Sequence, residues 1–329
     1  MRHRSTVVAV SSLSLILLLV IVLNLMLGEQ FATPTQLIQA AMGQGSPELQ
    51  LIIHTLRAPR LIVALLVGVA LAVSGAILQG VIRNPLAAPD VVGITGGASV
   101  GAVAFITYLP TVSIHFLPLA AIIGAALSAV LIYLLAWKNG VRPLRLVLVG
   151  VGISSLLSAM TSFMLVFSPA YSASSSYIWL TGTVYGSSWL HVWILLPWLI
   201  VCTLAIVLML RPMDLQLLAD DTAIGVGSRV QTNRLLLIAI SVGLAGAAVS
   251  VGGVIGFVGL LAPHAARRMV GPVYSRLIPV SALFGGIVVA LADLVGRTLF
   301  PPFDIPVGVF TSGIGAPFFI YLLYRSRKA

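Results

Sequence analysis

Apolar residues occur along this chain in runs of roughly twenty, separated by short polar interruptions that carry most of its arginines. A run of that length crosses the ~30 Å hydrocarbon core of a bilayer as one α-helix. The pattern places such runs at residues 7–27, 61–82, 91–109, 116–137, 146–167, 192–210, 277–295 and 307–324. Residues 235–266 are harder to read: 32 positions without a charge are too many for one ordinary span and few for two. The cluster Gly252, Gly253 and Gly256 marks where a turn fits between them.

Charge chooses between nine spans and ten, because lysine and arginine are retained on the cytoplasmic side. Ten spans with both termini inside put 15 of the 18 basic residues inside and leave only Arg57, Arg60 and Arg297 outside. Nine spans give 10 inside and 8 outside, which erases the bias. The expectation is an all-α polytopic membrane protein of ten helices, one domain over residues 1–329 with both termini cytoplasmic. Its basic start, Met1-Arg2-His3-Arg4, looks like a secretory leader, but the apolar run behind it is too long and no small-x-small cleavage site follows. It reads as a retained first helix. The larger connectors are 28–60 and 168–191 outside and 211–234 inside. A faint echo between residues 68–90 and 243–268 is compatible with an inverted repeat.

Composition supports the same solvent. Apolar residues make up 59% of the chain and charged ones 8%, too few charges to coat a water-soluble protein of 329 residues. The net charge of +10 does not indicate nucleic-acid binding, because the basic residues sit at span ends rather than along one stripe. The single Cys202 excludes a disulfide framework and a multi-cysteine metal site.

Little catalytic chemistry is present. There is no Gly-x-x-x-x-Gly-Lys loop for nucleotide phosphates, no His-Glu-x-x-His and no Gly-x-Ser-x-Gly. His3, His54, His115, His191 and His264 all fall at span ends or in loops, as interfacial and capping residues do. Of eight acidic residues only Asp293 lies within a span, and Arg297 four residues later shares its helical face, which makes the two a neutralising pair. An ion-coupled secondary transporter, the rival class, keeps unpaired carboxylates near the midplane. A polyspanning chain without them is passive or is driven by another protein.

Four stretches carry a resemblance. They are Gln79-Gly80-Val81-Ile82-Arg83-Asn84-Pro85-Leu86-Ala87-Ala88-Pro89-Asp90, then Gly256-Phe257-Val258-Gly259-Leu260-Leu261-Ala262-Pro263-His264, then Ala292-Asp293-Leu294-Val295-Gly296-Arg297, and finally Pro306-Val307-Gly308-Val309-Phe310-Thr311. In this order and spacing they closely resemble the FecCD/BtuC-like permeases of iron-chelate and cobalamin ABC importers.

The resemblance implies ten helices per subunit, a second permease subunit (identical or related) and two cytoplasmic P-loop ATPase subunits that carry ATP-Mg. It also implies a periplasmic or lipid-anchored binding protein that delivers the cargo; this chain is then no enzyme and binds no cofactor. Pro89-Asp90 and the stretch Trp179-Leu180-Thr181-Gly182 resemble the ferric-siderophore branch, with cobalamin or haem as the alternative. The inner loop, with Leu217, Leu218, Asp220, Asp221, Thr222 and Ala223, corresponds to the family's ATPase-coupling helices, although Ala219 and Ser228 depart from its pattern. Arg57, Arg60 and Arg297 correspond to the arginines that dock the binding protein, with interfacial anchoring as the plainer role.

Two readings concern the membrane interior. Gly150, Ser154, Ser158 and Thr161 form one face of the fifth span and suit either a weakly polar pathway wall or close helix packing. Asn84-Pro85 and Ala88-Pro89 break the chain at the inner face, and Asp90 is expected to cap the next helix.

Overall fold

The computed structural model describes residues 2–28, 30–138 and 140–326, with side chains except at 2–5, 90–91, 323 and 325–326. Fourteen α-helices account for most of this length. They are α1 (Arg2–Met26), α2 (Pro34–Ala41), α3 (Pro47–Leu51), α4 (Ala58–Ile82), α5 (Ile94–Tyr108), α6 (Leu117–Ala136) and α7 (Pro143–Val166). The second half holds α8 (Ala170–Leu180), α9 (Trp189–Leu215), α10 (Asp220–Gly225), α11 (Val230–Gly252), α12 (Val258–Val270), α13 (Tyr274–Thr298) and α14 (Val307–Ser326). The stretches from Thr6, Pro47, Ile114, Pro143, Trp189, Val230 and Tyr274 are long and apolar enough to cross a membrane, and α5 and α14 are shorter apolar helices.

Local sequence explains where these helices start. Proline occupies the first turn of α2, α3, α4, α6 and α7, where its missing N–H costs no helical bond. Thr33 and Gln36 form a reciprocal capping box at α2. Ser188 and His191 do the same at α9, which gives that histidine its capping role. A π-helical stretch, Ile52–Arg57, leads into α4, and the Trp189 indole donates 2.9 Å to the His54 carbonyl there.

Helix α4 is the axis of the fold. In its most apolar window 78% of residues are buried, against 17% in α1 and α7. It packs on α9, α11, α12 and α13. Helix α12 approaches it most closely: a Cβ at Gly75 would lie 1.8 Å from the Gly259 carbonyl oxygen, so only glycine allows this crossing.

The uncharged stretch 235–266 does divide at the glycine cluster. Helix α11 ends at Gly252, Gly253 takes φ +66°, and α12 begins at Val258. The freed backbone groups find partners in two other helix ends. Thr183 N–H donates 2.9 Å to the Gly252 carbonyl, and Gly308 N–H donates 2.9 Å to the Gly182 carbonyl. A Cβ at Gly308 would sit 2.0 Å from the Thr181 oxygen. The end of α8, the break after α11 and the start of α14 thus meet main chain to main chain.

Several boundaries depart from expectation. The outer connectors hold α2, α3 and α8, which the apolar runs do not reveal. The inner connector is shorter than 211–234, because α9 continues through Arg211 and Pro212 to Leu215 and α11 begins at Val230. Asp90 does not cap the next helix: a 3-10 turn, Pro89–Val92, intervenes and Gly93 is the N-cap of α5. The side chain of Asp90 lies outside the described residues, as do Arg327 and Lys328 from the charge count.

Candidate functional site

An arginine-centred cluster lies at each end of α4. At the end expected to face outward, Arg60 occupies the first turn, with its side chain 12% exposed. Its Nε and Nη2 donate to Asp293 Oδ1 at 2.9 and 2.7 Å, while Nη1 and Nη2 grip both oxygens of Asp304 at 2.6 and 2.9 Å. The guanidinium carbon also stands 5.6 Å from the Tyr185 ring centre. Such a planar fork is suited to bidentate carboxylate recognition.

Asp293 therefore pairs with an arginine 233 residues away in sequence rather than with Arg297. The expected pair on one helical face does not form, because α13 turns that carboxylate towards α4. Arg297 instead reaches α1, where its Nη2 donates to both oxygens of Asn24. Arg57, 6% exposed, donates to the carbonyls of Leu25, Met26 and Gln30. All three arginines are thus occupied by their own chain. Of the three, only Arg60 forms a salt bridge among the described residues, with Asp293 and Asp304.

At the other end, Arg83 closes α4 in a left-handed conformation, φ 55°. Its Nη2 donates 2.6 Å to the Leu218 carbonyl and 2.6 Å to Asp220 Oδ1. Arg234 of α11 reaches the same carboxylate at 3.2 Å. Asp214, in the last turn of α9, accepts 2.8 Å from the Tyr274 amide, which ties the helix leading into the loop to α13. Helix α10 is held against the bundle in this way through Asp220 and the buried Ala223. Asp221 and Thr222 are exposed, as are Leu217, Leu218 and Ile224. Asp220 is shared between Arg83 and Arg234 and keeps 37% of its side chain exposed, while Asp221 and the leucines point outward.

The small-residue face of α7 separates into two. Gly150 and Thr161 are buried, and Ser154 is half-buried beside Gly93 and Gly96 of the α5 entry. These three turn towards neighbouring helices, and only Ser158 is exposed. The open side of α7 instead carries Gly152, Ser155, Ala159 and Ser162 at helical spacing.

The motif residues sit in turns and helix contacts. Gln79 donates 3.4 Å to the Leu260 carbonyl and accepts 3.3 Å from Arg267. Asn84 Oδ1 accepts from the Leu86 amide at 2.9 Å, closing a turn around Pro85. A Cβ on Gly259 would meet the Pro89 ring at 3.0 Å. Pro263 is buried in α12, and His264 stacks edge-on against Phe318 with ring centres 5.6 Å apart. Gly256 lies beside Ser312, and Pro306 leads into the Gly308 junction.

Sequence reasoning missed Asp304 and Asn24, and used Arg83 and Arg234 for topology (Arg83 also within a family motif) without placing them at a site. Asp304 was open to discovery: it is an acid in a loop that the ten-span reading places outside, where that reading leaves only three basic residues, all arginines.

A polytopic helical bundle with a broken-helix junction and a short tethered helix on one side has the architecture of an importer permease. The sequence profile of the FecCD transport family matches residues 16–325, and the chain belongs to that family. It is 49% identical over 324 residues to the achromobactin transport system permease protein CbrC of Dickeya dadantii, covering 98% of this chain and 93% of that one. It is 45% identical over 287 residues to the cobalamin import system permease protein BtuC of Halobacterium salinarum, covering 86% and 76%. The fold superposes with a TM-score of 0.87, at 31% identity, on a metal-chelate type ABC transporter in an inward-facing conformation, over 96% of this chain and 98% of the other. The protein is a multi-pass inner-membrane permease subunit of the metal-chelate ABC importer class.

Proposed function

We propose that this chain passes a ferric chelate of the siderophore type into the cytoplasm by alternating access. The 49% identity to an achromobactin permease supports that cargo. Cobalamin is the second reading, supported by the 45% identity to a cobalamin permease. The whole chain, residues 1–329, works as one transmembrane domain of ten spans with both termini inside. Seven long apolar helices, two shorter ones and α12 sum to that number. Reporter fusions after Ser275 and Arg325 then both read cytoplasmic.

The observation that carries the mechanism is the attachment of α10 to the inner end of α4 through Asp220, with Leu217, Leu218, Asp221 and Thr222 left outward. This surface offers an ATPase subunit both apolar and acidic contacts. Movement of α10 is passed to the central helix through Arg83. ATP-Mg is bound by two ATPase subunits, and a second permease subunit, identical or related, completes the pathway. The open face of α7, with Ser155, Ser158 and Ser162, forms part of its wall. Weak polarity there suits release of a chelate rather than its retention.

Arg57, Arg60 and Arg297 receive an acidic lobe of the binding protein. Because Arg60 is already held, docking proceeds by exchange: Asp304, 21% exposed, gives way to the incoming carboxylate while Asp293, 1% exposed, stays. The deciding experiment is reconstitution with the ATPase and binding protein, followed by uptake of radiolabelled ferric chelate or cobalamin. ATP-dependent entry of the iron chelate alone supports the first reading. Entry of cobalamin alone overturns it, and entry without ATP overturns the importer mechanism.

A further inference from the structure

A cavity of about 320 Å³ lies between α6, α9 and α11, and its lining begins at Leu235, next to Arg234 of the inner cluster. Its floor is small: Ala125, Ala129 and Gly246 lie at the bottom, and Val130, Leu134 and Trp198 stand at an opening exposed on the outside of the bundle. Small residues in membrane helices ordinarily let two backbones touch. The glycine pair at 75 and 259 does so, but the groove glycines do not. A Cβ at Gly246 would meet nothing nearer than the Ala125 methyl at 3.6 Å, and one at Gly243 nothing nearer than Cys202 Sγ at 3.4 Å. The volume freed by these residues stays open. Only the Tyr133 hydroxyl offers the lining a side-chain hydrogen-bonding group outside the indole of Trp198, so a polar chelate has no coordination there.

The inner mouth of the groove adds a charge. Tyr133 packs on Trp137, ring centres 5.7 Å apart, one turn beyond the lining. Lys138 follows directly and is exposed, as is Arg142. The connector that bears them is tied over the start of α11: Arg234 donates 2.7 Å to the Val141 carbonyl, and the next residue, Leu235, lines the groove. Arg145 closes the other side, donating 3.2 Å to the Leu135 carbonyl. Among the described residues, Lys138, Arg142 and Arg145 form no salt bridge. Unpaired cations beside an aromatic pair are the signature of the level of anionic headgroups.

We propose that this groove is a binding site for one acyl chain of an anionic phospholipid whose phosphate sits at Lys138 and Arg142. The groove supplies apolar burial, the connector supplies charge complementarity, and the opening faces the only solvent a membrane helix has. The site depends on the membrane placement of the chain and not on which cargo it carries.

The test uses the complete importer purified gently and offered phosphatidylglycerol or phosphatidylcholine, with bound lipid counted by native mass spectrometry. Phosphatidylglycerol is expected to be retained in preference, by about fivefold for each basic residue engaged. Lys138→Gln with Arg142→Gln should remove the preference, and Gly246→Leu should remove the bound lipid by filling the floor. Should Gly246→Leu fail to assemble, the unaltered groove is read by fluorescence. Vesicles of dibrominated phosphatidylglycerol should quench the wild-type complex more than the Trp198→Phe complex. Equal retention of the two lipids, or full retention by Gly246→Leu, overturns the proposal. So does equal quenching with and without Trp198, or a crosslink from Ala239→Cys to another polypeptide.

Discussion

The two ends of α4 solve one problem with opposite economies of exposure. At the outer end Arg60 is buried between two carboxylates and an aromatic ring. At the inner end Arg83 and Asp220 are each 37% exposed and share their bond with a loop carbonyl. A buried, fully partnered charge is costly to uncover but rigid, whereas a half-exposed pair contributes little to stability and exchanges partners readily. The outer cluster therefore fixes the position of the central helix. In the proposed mechanism the inner one transmits movement, a task that calls for a bond able to hold α10 in register rather than for a strong one.

The largest effect that would break this contrast is at Arg60. Arg60→Ala leaves Asp293 buried without its cation and is expected to cost about 3–5 kcal/mol. Loss of monodisperse protein in detergent, or a steep fall in Tm, checks it; an unchanged Tm would mean the outer cluster is not the anchor. Next comes Arg83→Ala, which should change stability by no more than about 1 kcal/mol. Uptake per ATP hydrolysed in proteoliposomes should nonetheless fall severalfold, and a proportionate fall in both quantities would make Arg83 an ordinary stabilising residue.

Salt sharpens the same comparison more gently. Raising ionic strength to about 1 M shortens the screening length to about 3 Å. Coupling in wild type should loosen under those conditions while the Tm contribution of Arg60, measured against Arg60→Ala, stays constant. The smallest expected effect is that of Asp304→Asn. It should leave the fold intact and tighten binding-protein capture by a few fold, read by surface-immobilised titration. Weaker capture would show that Asp304 supports docking rather than yielding to it.

How much of this was legible depended on whether a feature is carried by one helix or by two. The apolar runs located the spans within a few residues, and the glycines at 252 and 253 marked a real break. Periodicity grouped Gly150, Ser154 and Thr161 correctly on one face. It could not tell which neighbour that face meets, because α7 is apolar nearly all round and presents no phase to read. The same limit explains Asp293. Spacing offered Arg297 on its own helix, while the geometry of two crossing helices delivered Arg60. Helices α2, α3 and α8 escaped because polar, short helices in connectors leave no membrane-length signal.

The meeting of the α8 end, the α11 break and the α14 start has a consequence for how such proteins diversify. Its bonds run between backbone atoms of Gly182, Thr183, Gly252 and Gly308, so no side chain takes part in them. In a saturation screen position 308 should tolerate nothing larger than hydrogen at Cα, since a methyl would overlap the Thr181 oxygen. Gly182 and Gly253 beside it are bounded in the same way, by the Val254 and Trp179 carbonyls. In the proposed mechanism, differences in cargo between permeases built on this plan then fall on the walls and mouths of the pathway, and not at this joint.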